Sequence, residues 1–177
     1  MLITVSGPPG SGTTTASRRI ARDLAVELLP GGEVFRAMAS ERSLTLAAFG
    51  AYAAGDPAID VELDSRLADR ARKGDVVIES RLAGWIVRNE GLPAVATWVD
   101  CDARIRASRV AAREGITVER ALADNAARQA VERERYLKHY GIDVDDLSIY
   151  DLVLDSGALS PGEIADAVVS AARARTW

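Results

Sequence analysis

The first fourteen residues combine a short apolar run with a glycine-rich turn, and this combination restricts the fold more than any other feature of the chain. Leu2–Ser6 is apolar and β-branched, as expected of a buried strand. Residues 7–12 form a glycine-rich turn, and from Ala16 to Leu28 apolar residues recur every four positions, which predicts a helix from about Thr13 to Leu28. A strand, a glycine-rich turn and a helix in this order predict a loop whose backbone N–H groups surround a phosphate.

The loop departs at one position from the GxxxxGK[ST] spacing that is typical of such phosphate loops. Thr13 stands where that pattern has a lysine, whose ammonium group contacts the terminal phosphates of a nucleotide. Thr14 stands where a hydroxyl would coordinate Mg²⁺. Two interpretations remain open. Either the loop is a structural turn or an inactive nucleotide site, or arginines elsewhere supply the missing charge.

The rest of the chain alternates between predicted strands and predicted helices. Strands are predicted at Val34-Phe35 and at residues 75–80, 94–99 and 150–154. Helices are predicted at residues 59–73 behind Pro57, at 103–113, from the N-cap Thr117 to about Tyr140, and from the N-cap Ser160 onward. Strands separated by helices pair in parallel with right-handed crossovers. The predicted fold class is therefore α/β, a three-layer α/β/α sandwich in a single domain, residues 1–177.

Composition argues against several classes of function. The formal net charge is −4, so the chain has no overall basic field for a nucleic acid polymer. One cysteine, Cys101, excludes an intramolecular disulfide, and one histidine leaves too few ligands for a structural zinc site. No apolar stretch approaches the length of a membrane span, and the first strand does not resemble a secretory signal. We therefore expect a cytoplasmic protein without a membrane partner.

Charged residues follow two of the predicted strands, where open α/β folds bind their ligands. Glu79 is near the end of strand 75–80, and an acid there can hold a Mg²⁺-bound water. Arg81 would project into the same crevice and contact a second phosphate. Arg36 follows Phe35 and would lie at the same sheet edge. The alternatives are a glutamate that leaves the sheet for solvent and an arginine exposed on the first turn of a helix.

Arginines are densest in the predicted helix pair between residues 104 and 135, where two charged stripes have spacings of three and four. The first stripe consists of Arg106, Arg109 and Arg113, and the second of Arg128, Glu132 and Arg135. Each stripe occupies one helix face. Guanidinium groups suit phosphate oxygens, so these faces are candidates for a polyphosphate clamp. The alternative is a solvated helical hairpin held by glutamate–arginine pairs.

The motifs occur in a characteristic order along the chain. They comprise Gly-Pro-Pro-Gly-Ser-Gly-Thr-Thr-Thr at residues 7–15 and the segments 33–36, 59–64, 76–85, 113–116, 140–143 and 151–153. Together they resemble the archaeal-type cytidylate kinases, a branch of the P-loop nucleoside monophosphate (NMP) kinases. The similarity covers nearly the whole chain and includes the Gly-Thr-Thr-Thr reading at Thr13. Residues 30–32 and Ser80 depart from the family pattern. These departures concern the contacts with the base of the acceptor nucleotide.

The resemblance implies an NMP-kinase fold with a five-stranded parallel sheet. It divides the chain into a CORE (residues 1–29, 74–112 and 128–177), a helical NMP-binding region (30–73) and a LID (about 113–127). A monomer is the default for this fold.

The resemblance also implies roles for particular residues. ATP would be bound by Gly7, Pro8, Pro9, Gly10, Ser11, Gly12, Thr13, Thr14, Thr15, Asp155 and Ser156. The acceptor would be bound by Arg36, Arg81, Asp60 and Glu132, and the catalytic arginines would be Arg109, Arg113, Arg128 and Arg135. Thr14 and Glu79 would hold Mg²⁺.

The activity that the resemblance implies is the Mg²⁺-dependent transfer of the γ-phosphoryl group of ATP to CMP and dCMP, giving CDP and ADP from CMP. One alternative keeps the fold but changes the acceptor to AMP, UMP or a small alcohol such as shikimate. The other is a non-catalytic nucleotide sensor, because the phosphate loop has no lysine.

Overall fold

The computed structural model describes all 177 residues as a parallel sheet surrounded by helices. The strands are β1 (Leu2–Ser6), β2 (Glu27–Pro30), β3 (Val76–Glu79), β4 (Val95–Asp100) and β5 (Leu152–Asp155). The helices are α1 (Thr13–Leu24), α2 (Gly31–Glu41), α3 (Leu46–Gly55), α4 (Pro57–Ala71), α5 (Ala83–Asn89), α6 (Ala103–Glu114), α7 (Val118–Tyr140) and α8 (Pro161–Ala174), with a 3₁₀ turn at Leu147–Ile149. No helix is both long enough and apolar enough to cross a bilayer.

The five strands lie in the order β2-β3-β1-β4-β5, and every neighbouring pair is parallel. β1 lies at the centre, where Val5 is opposite Glu79 of β3 and Ser6 is opposite Trp98 of β4. All strands therefore point their carboxyl ends toward one edge of the sheet. The predicted α/β class and five-stranded parallel sheet are confirmed.

Both faces of the sheet are covered by apolar side chains from helices. Ile3 and Val5 of β1 pack with α1 and α8 on one face. On the other face, Leu2 packs with α4, α5 and Tyr136 of α7. β1 is buried along its whole length, as expected for the central strand of a sheet covered on both sides.

Two smaller apolar clusters lie outside the main core. Phe49 of α3 is fully buried in the first, which joins α2, α3 and the start of α4. The second joins α6 and α7 through Ala107, Val110 and Ala121. The helices of each group therefore pack against one another in addition to the main core on the sheet.

Several helix boundaries follow from local capping chemistry. The side chain of Thr117 accepts a hydrogen bond from the backbone of Arg120 at the start of α7, and α7 ends at Gly141 with a positive φ of 66°. Ser160 and Glu163 form a capping box on α8. These predicted boundaries are confirmed.

The segment after α1 corrects two predictions. The predicted helix to Leu28 ends at Leu24, because Ala25 adopts a left-handed conformation with φ 53°. Leu28 instead lies in β2, which pairs with β3. The strand predicted at Val34-Phe35 is wrong, since these residues belong to α2. Helix α5 was not predicted.

Candidate active site

A cleft of about 650 Å³ opens at the carboxyl edge of the sheet, and we call it the central cleft. It brings together residues that are far apart in the sequence. The predicted site residues that line it are Gly7, Pro8, Pro9, Gly10, Thr13, Thr14, Arg36, Asp60, Glu79, Arg81, Arg113, Arg128, Glu132 and Arg135. Apolar side chains are a minority among its lining residues, as expected of a site for a charged ligand.

The phosphate loop, residues 7–14, is held close to the backbone of its neighbours. Gly10 and Gly12 have positive φ values of 82° and 91°. A Cβ atom on Gly7 would lie 2.4 Å from the carbonyl oxygen of Val99, so only glycine fits there. Gly12 precedes α1, and no side chain caps the first turn of that helix. The free N–H groups of this turn, with the positive end of the helix dipole, form an anion site.

Glu79 is bound to the loop through two hydroxyl groups. The Oγ1 atoms of Thr13 and Thr14 each donate a hydrogen bond of 2.7 Å to Glu79 Oε1. A hydroxyl and a carboxylate oxygen side by side are ligands that Mg²⁺ prefers. No cluster of three or more histidine, cysteine or acidic side chains could hold a metal by itself. The pair therefore fits an ion such as Mg²⁺, which keeps its waters and takes further oxygens from a nucleotide.

Glu132 of α7 joins two arginines across the cleft. Its Oε2 accepts a hydrogen bond of 2.8 Å from Nε of Arg81, and its Oε1 accepts one of 2.8 Å from Nε of Arg128. The side chain of Glu132 is 11% exposed and that of Arg81 15%, whereas Arg128 is 64% exposed. Glu132 thus fixes the orientation of two guanidinium groups that line the cleft.

Asp60 links α4 to α7 in the cleft. Its Oδ2 lies 3.2 Å from Nε of Arg135, and both side chains are largely buried. Burial raises the pKa of Asp60, although the charge of Arg135 opposes this shift. The guanidinium of Arg135 also stacks over the ring of Tyr136, 5.2 Å from its centroid.

Arg36 and Arg113 line the cleft without such fixed partners inside it. Arg36 forms no ion pair. Arg113 pairs only with its neighbour Glu114 at 2.7 Å, and its side chain is 67% exposed. Both guanidinium groups are therefore free to contact a ligand.

A second cavity of about 170 Å³ lies on the other side of the phosphate loop. Ser11, Gly12, Thr15, Arg109 and Ser156 line it together with residues around the start of α8. Arg109 donates hydrogen bonds of 2.9 Å to Oγ and 2.7 Å to the carbonyl oxygen of Ser156. Asp155, at the end of β5, accepts a bond of 2.7 Å from the backbone of Gly157. Arg109 thus lies apart from the other three predicted catalytic arginines.

The lining of the cleft also includes residues that the sequence analysis does not assign to the site, among them an arginine and a tyrosine. Arg18 and Tyr136 line the cleft, and Arg18 is one helical turn after Thr14, a spacing that could have revealed it. The spacing predicts that Arg106 shares an arginine-rich clamp face with Arg109, but the structure buries Arg106 behind the phosphate loop.

Comparison with known proteins identifies the family of the chain. Residues 6–138 match the model of a family described as an AAA domain. The chain is 49% identical over 172 residues to the cytidylate kinase of Pyrococcus furiosus, covering 97% of this chain and 88% of that protein. It is 43% identical over 172 residues to the cytidylate kinase of Halobacterium salinarum, with the same coverage of 97% and 88%. The chain belongs to the archaeal-type cytidylate kinase family. It is therefore a phosphotransferase.

Solved structures of low sequence identity share the fold of this cytidylate kinase family member. Shikimate kinase from Bacteroides thetaiotaomicron superposes with a TM-score of 0.63 at 12% identity, covering 98% of this chain and 96% of that one. A gluconokinase from Sinorhizobium meliloti gives a TM-score of 0.61 at 15% identity, covering 97% and 91%. The fold is that of the P-loop kinases.

Proposed function

We propose that the enzyme transfers the γ-phosphoryl group of ATP to CMP, giving CDP and ADP, and that it also accepts dCMP. The observation that carries the proposal is the two-sided central cleft. The phosphate loop with Thr14 and Glu79 forms one side, and free or singly paired arginines form the other. The names of the relatives support CMP as the acceptor. We place the activity in the cytoplasm and the enzyme in a monomeric state.

The donor nucleotide is assigned to the loop side of the cleft. The backbone N–H groups of residues 10–13 would hold the β-phosphate at the start of α1. Thr14 and Glu79 would hold Mg²⁺, the latter through water, and the bound ion would neutralise charge on the phosphates. The second cavity adjoins the phosphate loop and would take the nucleoside end of ATP. Arg109 and Ser156 line this cavity, and Asp155 precedes Ser156 in the sequence.

The acceptor is assigned to the opposite side. Arg36 and Arg81 would hold the CMP phosphate, which attacks as an oxyanion and so requires no general base. Two arginines suit an acceptor that carries its own phosphate better than they suit shikimate. The carboxylate of Asp60 suits the amino group of cytosine. Because Asp60 is largely buried beside Arg135, the ion pair between them would respond to which base is bound.

Arginines would neutralise the charge that Thr13 cannot. In phosphoryl transfer, negative charge spreads over the transferred group, and positioning and electrostatics supply most of the catalysis. Arg128 and Arg135 project from α7 into the cleft, and Arg113 lies at the end of α6 beside them. A LID of residues 113–127 would close over ATP and exclude water, which competes as an acceptor.

A steady-state assay of ADP release with CMP, dCMP, UMP, AMP and shikimate tests the proposal. CMP should give the highest kcat/KM, and dCMP should also be a substrate. A nucleotide sensor would instead be stabilised by ATP against thermal unfolding and release no ADP with any acceptor. Preference for another acceptor would refute the assignment of CMP.

Arg128→Ala tests the role of the arginines in the same assay. It should lower kcat by about 10³-fold, as expected when a cation that contacts the transferred group is removed. Arg133→Ala is the matched control, since Arg133 lies on the same helix, outside the LID, and pairs with Asp145 away from the cleft. Near-normal turnover by Arg128→Ala would contradict the mechanism.

A further inference from the structure

Arg106 carries a buried positive charge that the proposed mechanism does not use. The residue is 7% exposed and lies on α6 behind the phosphate loop. Its Nε donates to the carbonyl oxygen of Cys101 at 3.0 Å, and its NH1 donates to the carbonyl oxygen of Pro9 at 3.3 Å and to Oε1 of Gln129 at 2.9 Å. It forms no ion pair with a carboxylate. Burial lowers the pKa of this guanidinium, but an arginine stays protonated at neutral pH.

A buried cation without a counter-ion is costly, so its partners indicate what it does. The three hydrogen bonds join three separate elements, namely the end of β4, the phosphate loop and α7. The planar guanidinium has several donors in a fixed arrangement and can hold all three acceptors at once, whereas one ammonium group cannot do so with the same geometry.

The phosphate loop depends on Arg106 in two ways. The carbonyl oxygen of Pro9 accepts from the guanidinium, so it is turned toward α6 and leaves the cleft side of the loop to N–H donors. The backbone of Arg106 also supports the loop, since a Cβ atom on Gly10 would lie 2.7 Å from the carbonyl oxygen of Arg106. The loop therefore rests directly on this turn of α6.

The hydrogen bond from Arg106 reaches α7 in the helical turn that carries Arg128. Gln129 follows Arg128 in the sequence, and Arg128 pairs with Glu132 one turn later. A shift of Gln129 relative to Arg106 would therefore move the base of the side chain of Arg128. Reactions of this type are sensitive to such shifts, because a displacement of about 1 Å can reduce the rate by about 10²-fold.

We propose that Arg106 is a positioning residue that couples the phosphate loop to Arg128 through its hydrogen bond with Gln129. The inference rests on the proposed function, since it concerns the transfer of the phosphoryl group within the same cleft. When the link is intact, a nucleotide on the phosphate loop and the guanidinium of Arg128 keep a fixed position relative to each other. When the link is broken, Arg128 is less well aligned with the acceptor, and water competes more effectively for the phosphoryl group.

The test uses Arg106→Gln, Gln129→Ala and Gln129→Glu in the full-length enzyme, with Arg104→Gln as the control. Arg104 is an exposed arginine on the same helix. Two quantities are measured well below the unfolding temperature, kcat with CMP and the fraction of ATP that is hydrolysed instead of transferred. Arg106→Gln should lower kcat by about 10²-fold and Gln129→Ala by about tenfold, and both should raise the hydrolysed fraction. Gln129→Glu keeps an acceptor for the guanidinium and should stay near the wild type, as should Arg104→Gln.

The combination Arg106→Gln with Gln129→Ala should be no worse than Arg106→Gln alone, because both changes break one link. Wild-type kcat and a wild-type hydrolysed fraction in Gln129→Ala would overturn the inference, and so would fully additive losses in the double variant. If Arg106→Gln does not fold, the contrast between Gln129→Ala and Gln129→Glu decides. A wild-type enzyme that phosphorylates no CMP would instead refute the proposed function, and this result is visible before any variant is compared.

Discussion

At the scale of single residues, two glutamates organise opposite sides of the central cleft. Glu79 accepts hydrogen bonds from the hydroxyls of both Thr13 and Thr14, and Glu132 accepts from both Arg81 and Arg128. Each carboxylate therefore fixes two side chains that would contact phosphate or metal. The substitution of lysine by Thr13 adds a second hydroxyl beside Glu79 rather than a cation.

The two threonines should differ in their importance despite their identical contacts with Glu79. Thr14→Val keeps the shape but removes the oxygen assigned to Mg²⁺, so kcat should fall by at least about tenfold and the Mg²⁺ concentration for half-maximal rate should rise. Thr13→Val loses only one of two hydrogen bonds to Glu79 and should lower kcat by about threefold or less. Steady-state assays over a range of Mg²⁺ concentrations measure both effects. Equal losses in the two variants would contradict the assignment of Thr14 to the metal.

At the scale of secondary-structure elements, local signals predicted most of the boundaries. Thr117 and Ser160 each start a helix by accepting a backbone hydrogen bond from a residue three positions later, so the sequence is enough to locate them. The end of α1 has no such signal, because Ala25 takes a left-handed conformation that glycine usually marks. Leu28 continues the four-residue spacing of α1, yet it is held in β2 by pairing with β3, a contact that is not local.

The same distinction applies to the site. Residues at or just after the end of a strand, such as Glu79 and Arg81, could be placed at the sheet edge from the alternation of strands and helices alone. The spacing of Arg106 and Arg109 predicted a shared helix face, and both do lie on α6. Their different surroundings depend on how α6 packs against the phosphate loop and α7, and helical periodicity contains no information about that packing.

The contact between α4 and α7 should make stability depend on pH through Asp64. Burial raises the pKa of Asp64 to about 6 from 3.8, and the charge of Asp60 adds to this shift, whereas Tyr140 and Arg135 oppose it. The folded state therefore binds this proton more tightly than the unfolded state does. The contribution of Asp64 to stability is greatest below pH 4, declines as the pH rises to about 6 and is constant above, a change of about 2–3 kcal/mol.

Asp64→Asn should abolish that decline. The variant should gain about 2 kcal/mol in the free energy of unfolding relative to the wild type between pH 4 and pH 7.5, as measured by urea denaturation at several pH values. Asp69→Asn is the control, because Asp69 is exposed on the same helix. A constant difference between Asp64→Asn and the wild type across this range would show that Asp64 does not titrate there.

At the scale of the whole molecule, the packing of α7 places Glu132 and its two arginine partners between the proposed donor and acceptor sites. α7 packs against the main core through Tyr136 and against α6 through Ala121. Glu132 lies between these two contacts along α7 and joins Arg81, just after β3, to Arg128. A ligand that moved either arginine would therefore disturb the other, and this would couple the proposed donor and acceptor sites.

Binding of donor and acceptor should accordingly be cooperative and depend on Glu132. A non-hydrolysable ATP analogue should lower the Kd of CMP by about tenfold, and CMP should lower the Kd of the analogue by the same factor. Glu132→Gln removes the charge that holds the two guanidinium groups together, so the coupling should fall to about twofold or less. Glu134→Gln, an exposed neighbour on the same helix, should keep it. Isothermal titration calorimetry measures the Kd of each ligand with and without the other, which gives four Kd values for each protein. Undiminished coupling in Glu132→Gln would show that the two sites communicate by another route, such as closure of α2 and α3 over the acceptor.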